Sequence, residues 1–138
     1  MKKVAISGYF DCVHIGHIEL MKKAKALGDT LIVILNTDEQ CIKKKGYVFM
    51  PFEERKIILE SFSFVDRVVG CLDGDQTVRV SLVYLMPDIF ANGGDRHNEE
   101  IPEAEICKKY GIRIVDGLGK KIASSSELVK NSKEKRNE

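Results

Sequence analysis

A chain of 138 residues is long enough for a single domain built around one hydrophobic core. Hydrophobic residues make up 43% and charged residues 31% of the sequence, which excludes a disordered or fibrous protein and is typical of a globular domain. The formal net charge of +1 argues against nucleic-acid or membrane-surface binding through global charge, so any anion must be bound by a local cluster.

The first predicted elements are a strand, a turn and a helix. Residues 4–6 form a short apolar run typical of a buried strand. A helix is then predicted from apolar residues at helical spacing and from a glycine that ends it: Ile18, Met21, Ala24, Leu27 and Gly28. Residues 8–17 therefore form a strand-to-helix turn at the carboxyl edge of the first strand, where ligands bind in open α/β sheets.

This turn has the features of an anion site. The first turn of the helix offers backbone N–H groups and a positive dipole end. His14 and His17 project from one side of it, and Gly16 between them allows a ligand to approach the backbone. The two imidazoles with Asp11 also have the spacing of a metal site, but the anion-binding geometry favours phosphate, so we predict no metal held by the protein.

Strands and helices alternate through the rest of the chain. Strands are predicted at residues 30–36, 65–69, 88–92 and 112–115, and a polar connection at residues 43–46. Helices are predicted from Pro51, with an apolar face of Ile57, Ile58 and Phe62, at residues 76–85, and between Pro102 and Gly111. Ser124, Ser125 and Ser126 cap a last helix through residue 131.

This alternation predicts an α/β fold, a Rossmann-like three-layer sandwich with a five-stranded parallel sheet. We expect one domain over residues 1–131 and a charged tail over residues 132–138. The four cysteines are widely spaced, which favours reduced thiols in the cytoplasm: they are Cys12, Cys41, Cys71 and Cys107. Neither a signal peptide nor a membrane span is apparent.

The turn resembles a known signature. Gly8, Phe10-Asp11 and His14-Ile15-Gly16-His17 are similar to the His-x-Gly-His motif of the cytidylyltransferase-like nucleotidyltransferases. Members of that family transfer a nucleotide monophosphate from CTP or ATP to a phosphorylated acceptor and release pyrophosphate. The resemblance implies a nucleoside triphosphate and a phosphorylated small molecule as partners, Mg²⁺ bound with the nucleotide, and a homodimer.

By this resemblance the turn lines the nucleotide site. His14 and His17 would donate hydrogen bonds to the phosphates, and Asp11 would organise the site. Phe10 is expected in the core. The family's usual Gly-Thr-Phe-Asp reads Gly8-Tyr9-Phe10-Asp11 here, so the hydroxyl contact of that Thr is not carried over. The nucleotide-binding residues expected here are Gly8, Tyr9, Phe10, Asp11, His14, Gly16 and His17.

Two cationic residues are expected to act in catalysis together with His14 and His17. Lys44, chosen from the run Lys43 to Lys45, would close over the phosphates; the alternative is a solvated loop. Arg55 lies in a segment that resembles the family's Glu-x-Arg helix start and would contact a phosphate; the alternative is an exposed ion pair with a neighbouring Glu.

Two later segments complete the resemblance. Gly94 and Asp95 would lie beside the base and the acceptor, and the run 91–96 is most similar to the heptose-phosphate adenylyltransferase branch, which favours ATP and a sugar phosphate. Ser124, Ser125 and Ser126 resemble the second hallmark and would bind the β- and γ-phosphates. The Arg that precedes these serines in the family is missing; Lys120 and Lys121 would supply the charge.

The sequence thus predicts a magnesium-dependent nucleotidyltransferase, with adenylyl transfer favoured over cytidylyl transfer. The alternative is a non-catalytic nucleotide-binding or sensing module on the same fold, which the missing Thr and Arg keep open. Nucleic-acid binding has little support because the charge is balanced and no aromatic platform is evident.

Overall fold

The computed structural model describes residues 2–75, 77–93 and 102–118. Strands and helices alternate along this part of the chain, as the hydrophobic pattern predicts, except that two helices lie between the second and third strands. Ten elements follow in chain order: β1 (Lys3–Gly8), α1 (Ile15–Lys25), β2 (Thr30–Leu35), α2 (Asp38–Lys45), α3 (Phe52–Glu60), β3 (Arg67–Gly70), α4 (Arg79–Leu85), β4 (Ile89–Gly93), α5 (Ala104–Tyr110) and β5 (Arg113–Leu118).

The five strands form one parallel sheet in the order β3-β2-β1-β4-β5. β1 lies at the centre, with Val4 paired to Leu31 of β2 and to Ile89 of β4. The chain forms β2 and β3 on one side of β1 and then β4 and β5 on its other side. The carboxyl ends of β1 and β4 therefore bound the crevice in which open α/β sheets bind ligands.

Apolar layers cover both faces of the sheet. On β1, Val4 and Ile6 point to one layer and Ala5 to the other, as alternation along a strand requires. The first layer packs against α1 and α3, and the second against α4 and α5. The predicted three-layer α/β sandwich with a five-stranded parallel sheet is confirmed.

The polar connection predicted around Lys43, Lys44 and Lys45 is wrong, because these residues form the last turn of α2. The helix begins at Thr37, whose side chain accepts a hydrogen bond from the Gln40 N–H at 3.2 Å, while Gln40 Oε1 accepts from the Thr37 N–H at 2.9 Å. This capping box is a sequence signal that apolar periodicity does not detect.

The helix predicted over residues 76–85 is shorter, since α4 begins at Arg79. Its start is set by Asp73, whose carboxylate accepts the N–H groups of Val80 at 2.8 Å and Ser81 at 3.1 Å. The predicted last helix and the Gly94-Asp95 segment lie outside the described residues. Within the described ranges, the helices are too short or too polar for any of them to cross a bilayer.

Candidate functional site

The turn between β1 and α1 is held against the core by Phe10. Its side chain is buried, and its φ of 48° is uncommon for a residue other than glycine. A Cβ on Gly8 would lie 2.9 Å from Cε2 of Phe10, so only glycine fits beneath the ring. The ring meets His17 edge-on at a centroid distance of 4.7 Å. Phe10 therefore belongs to the core, as the sequence predicts, and supports His17 from behind.

His14 and His17 cap α1 reciprocally. The Gly16 N–H donates to His14 Nδ1 at 3.1 Å, and the His14 N–H donates to His17 Nδ1 at 3.2 Å. The two rings stack with centroids 3.8 Å apart and planes inclined by 21°. This is a capping box made of two imidazoles.

The caps fix the protonation of both rings. Because each Nδ1 accepts a hydrogen bond, the proton of each neutral imidazole is on Nε2, an assignment made from the hydrogen bonds. Burial, followed by the charges of His14 and Lys45, lowers the pKa of His17 to about 3. Burial also lowers the pKa of His14. Both rings are therefore neutral near pH 7, and each has one Nε2–H donor outside the cap.

This arrangement corrects one expectation about the helix start. The Gly16 N–H is bonded to His14 Nδ1, and the His17 N–H donates to the His14 carbonyl at 3.0 Å. These two backbone donors are used within the turn and are not available for an anion. The imidazole Nε2–H groups are the donors that the turn presents instead.

Asp11 fastens the segment that follows α2. Its buried carboxylate accepts the Phe49 N–H at 2.8 Å and the Met50 N–H at 2.6 Å. Lys45 Nζ donates to the Asp11 carbonyl oxygen at 2.8 Å and lies 4.0 Å from Asp11 Oδ2. Asp11 thus organises the site through hydrogen bonds to neighbouring backbone.

Arg55 lies in the interior, and its side chain is 0% exposed. The alternative of an exposed ion pair with a neighbouring Glu is therefore wrong, while the expected contact with phosphate stays a prediction. The guanidinium donates to four oxygens on three segments of the chain. They are the carbonyls of Met50 at 2.9 Å, Tyr9 at 2.8 Å and Asn36 at 2.8 Å, and the carboxylate of Asp38 at 2.6 Å. Arg55 joins the ends of β1 and β2 to the start of α3.

The three lysines of α2 lie in different places. Lys43 Nζ donates to the Gly74 carbonyl at 3.4 Å. Lys44 Nζ lies over the Tyr9 ring, 4.6 Å from its centroid. Lys45 is bound to Asp11, and its charge contributes to the lowered pKa of His17. The sequence selects Lys44, whereas the structure adds Lys45 as the ammonium group beside the histidines; which of the two contacts a phosphate stays a prediction.

Sequence reasoning missed Gln40, a buried connector behind the site. Its Oε1 accepts from Asn36 Nδ2 at 3.0 Å, and its Nε2 donates to the Asp73 carbonyl at 3.3 Å and to the Asp75 carbonyl. These bonds join the end of β2 to the loop after β3. The Thr37-x-x-Gln40 spacing of the capping box is the signal that identifies it. The other predicted site residues, Gly94, Asp95, Ser124, Ser125 and Ser126, lie outside the described residues.

Comparison with known proteins agrees with this geometry. The family model described as cytidylyltransferase-like matches residues 5–131. Glycerol-3-phosphate cytidylyltransferase of Bacillus subtilis is 39% identical over 95 residues, which cover 69% of this chain and 73% of that protein. Bifunctional protein HldE of Campylobacter jejuni subsp. doylei is 37% identical over 138 residues, 98% of this chain but only 28% of that protein.

A solved structure shares the fold. The crystal structure of the lipopolysaccharide core biosynthesis protein from Thermoplasma volcanium superimposes with a TM-score of 0.74 at 27% sequence identity. The alignment covers 86% of this chain and 98% of that one. The similarity therefore extends over the sheet and the helices that carry the histidine turn.

Proposed function

The chain belongs to the cytidylyltransferase-like family of nucleotidyltransferases, and from this premise we propose that it transfers the nucleoside monophosphate of ATP or CTP to a phosphorylated small molecule. One observation carries the proposal. His14 and His17 are held as neutral rings in the turn after β1, with Nδ1 used in the caps, which leaves Nε2–H as the donor of each ring. Two fixed neutral donors suit phosphate oxygens that gain charge during a reaction.

The proposed reaction is an in-line displacement. An oxygen of the acceptor's phosphate attacks the α-phosphorus of the triphosphate, and the bond to the bridging oxygen of pyrophosphate breaks. The Nε2–H groups of His14 and His17 donate to the phosphate oxygens in the transition state, and Lys44 and Lys45 supply positive charge for the departing pyrophosphate. No covalent enzyme intermediate is needed, so the protein contributes orientation and charge stabilisation.

Mg²⁺ belongs to this proposal as a companion of the triphosphate. The Asp11 carboxylate is occupied by the N–H groups of Phe49 and Met50, and each histidine Nδ1 by a backbone donor. No group of three His, Cys, Asp or Glu able to hold a metal occurs among the described residues. Phosphate oxygens and water are the ligands that fit Mg²⁺ here, where it would neutralise part of the triphosphate charge.

We favour ATP as the nucleotide and a sugar phosphate as the acceptor. The support is the run 91–96, with its similarity to the heptose-phosphate adenylyltransferase branch. Assembly as a homodimer is part of the same proposal. Helix α4 and the residues on either side of it expose apolar side chains that a second copy would cover: Leu72, Val80, Tyr84 and Met86. The four free thiols favour a reducing compartment, the cytoplasm.

Pyrophosphate release tests the proposal directly. The protein is incubated with Mg²⁺ and either ATP or CTP, paired with a sugar phosphate, glycerol 3-phosphate or FMN. We expect release with at least one pair and a fall of about 10²–10³ in kcat for His17→Gln. Nucleotide binding without pyrophosphate from any pair would support the non-catalytic module instead. A His17→Gln variant that folds and turns over normally would contradict the role given to the histidines.

Light scattering at assay concentrations tests the assembly. A homodimer doubles the mass of 15.6 kDa per chain. Tyr84→Glu would place a charge on the exposed side of α4 and should yield monomers. A wild-type protein that stays monomeric would contradict the dimer and leave the proposed chemistry intact.

A further inference from the structure

Two lysines lie over one aromatic ring beside the histidine pair. Lys44 Nζ is 4.6 Å and Lys45 Nζ 5.9 Å from the centroid of Tyr9. An ammonium group within about 6 Å of a ring centroid is attracted by the negative face of the ring. The ring of Tyr9 is therefore a shared platform for the end of α2.

The platform is attached to a rigid frame. The Tyr9 carbonyl accepts from Nη1 of the buried Arg55 at 2.8 Å, which fixes the backbone that carries the ring. Lys45 Nζ is anchored independently on the Asp11 carbonyl at 2.8 Å. The Tyr9 backbone and the Lys45 ammonium group are thus each attached to the turn that precedes His14 and His17.

The charge on the platform points to an anion. Two ammonium groups that share a ring repel each other, and the arrangement is most favourable when a polyanion lies against both. The neutral histidines add hydrogen-bond donors but no positive charge. Because Lys45 is close enough to His17 to lower its pKa, the anion would meet the lysines and the imidazoles together.

The hydroxyl of Tyr9 has a different environment from the ring. It is buried and has no hydrogen-bond partner among the described residues. Burial raises its pKa, so it stays uncharged. Tyr9 occupies the position where the resembled family usually has Thr. We propose, resting on the function proposed above, that Tyr9 is a positioning residue whose ring holds Lys44 and Lys45 against the triphosphate, and that its hydroxyl takes no part in binding.

Kinetics of three Tyr9 variants separate the ring from the hydroxyl. Tyr9→Phe keeps the ring, and its KM for the nucleotide should equal that of the wild type. Tyr9→Leu removes the ring and should raise this KM about tenfold. Its kcat should also fall, because the displaced lysines face the departing pyrophosphate. Tyr9→Thr, which restores the hydroxyl of the family, should behave like Tyr9→Leu. If Tyr9→Thr matches the wild type while Tyr9→Phe loses affinity, the hydroxyl is the contact and the proposal is overturned.

A matched control lies on α5. Lys109 Nζ is 5.5 Å from the centroid of Tyr110, a similar pair remote from the histidine turn. Tyr110→Leu should leave KM and kcat unchanged. An equal rise of KM in Tyr110→Leu and Tyr9→Leu would show a general effect of losing an aromatic residue, and would overturn the assignment.

A spectroscopic measurement tests the platform without activity. The ε-methylene signals of Lys44, identified by their loss in Lys44→Arg, should be shifted upfield by the Tyr9 ring in the ligand-free protein. Tyr9→Phe should keep the shift and Tyr9→Leu should abolish it; Tyr9→Met serves if the Leu variant does not fold. Unchanged Lys44 signals in these ring-free variants would overturn the proposal. If the wild type releases no pyrophosphate but shows the shift, the proposed function fails and the platform stands.

Discussion

His14 and His17 are residues usually treated as cations, but the fold holds both imidazoles in the neutral state. A proton on Nδ1 of His17 would remove the acceptor of the His14 N–H and place a charge in a site that is mostly buried. The hydrogen-bond pattern and the desolvation penalty therefore act in the same direction. The structure thus favours the neutral form of both imidazoles, with Nε2–H as the donor of each ring.

The lowered pKa of His17 can be measured by comparing the pH dependence of stability between the wild type and His17→Gln. Glutamine at position 17 keeps a side-chain acceptor for the His14 N–H but does not titrate. The pKa of His17 falls from its usual 6.5 to about 3 on folding. Because only the unfolded chain binds a proton at His17 between these values, the free energy of unfolding is highest above pH 6.5 and declines as the pH falls toward 3. Between pH 6.5 and 4 we expect the wild type to lose about 2–3 kcal/mol more unfolding free energy than His17→Gln.

Urea unfolding at a series of pH values provides the comparison. Carboxylates titrate in both proteins over this range and cancel in the difference. Parallel curves for the wild type and His17→Gln would mean that His17 is protonated as readily in the folded as in the unfolded chain. That result would contradict the neutral pair.

Tyr9→Phe tests the environment of the phenol. A buried hydroxyl without a partner pays a desolvation cost on folding, so its removal should raise the unfolding free energy by about 1 kcal/mol. The midpoint of urea unfolding should rise with an unchanged slope. A destabilised Tyr9→Phe would contradict a buried hydroxyl without a partner.

At the scale of elements, the sequence predicts what depends on local pattern. The strands follow from apolar runs, and α1 follows from the spacing of Met21 and Ala24, which are buried as expected. The start of α4 does not follow, because it is set by Asp73 across a loop. Within the candidate site, the histidine turn could be read from its motif.

The buried position of Arg55 could not be predicted from the sequence. The sequence places it correctly in the first turn of α3, but its burial depends on carbonyls that only the folded sheet brings together. Tyr9, Asn36 and Met50 are far apart in sequence and converge on one guanidinium. Convergence of this kind is a tertiary property, and an Arg beside Glu residues gives no sign of it.

Arg55→Lys tests this role in α3. Lysine keeps the charge but cannot reproduce the planar fork, so several buried carbonyls would lose their donor. We expect the unfolding free energy to fall by about 3 kcal/mol. Arg79→Lys is the matched control, because Arg79 is exposed and pairs with Asp75 at 3.1 Å on the surface. The unfolding free energy of Arg79→Lys should stay within about 0.5 kcal/mol of the wild-type value.

Chemical denaturation of both variants decides the matter. A similar small loss for Arg55→Lys and Arg79→Lys would show that the four hydrogen bonds of Arg55 add little. A large loss for Arg55→Lys alone would support its role as the link between the two strand ends and α3.

At the scale of the whole molecule, the two edges of the sheet have different roles. At the amino edge, three carboxylates accept backbone N–H groups at 2.7 Å: Asp29 from Lys2, Asp88 from Lys3, and Asp66 from Leu31. At the carboxyl edge, the ends of β1 and β2 carry the histidine turn and the lysines of α2. The parallel topology directs the described loops that follow β1 and β2 to one edge.

Ligand-induced stabilisation of the complete chain tests whether that edge binds nucleotide. With Mg²⁺ and ATP at about 100 times Kd, the folded state gains about 2.7 kcal/mol, which for a domain of this size raises Tm by about 5–10 °C. ATP should give a larger shift than CTP at equal concentration. Because the lysines supply the positive charge, the shift should shrink between 0.1 and 0.5 M NaCl. His17→Gln should reduce it, whereas Arg79→Lys should not. Failure of every nucleoside triphosphate to raise Tm would contradict both the transferase and the nucleotide-binding module, since each requires a triphosphate at this edge.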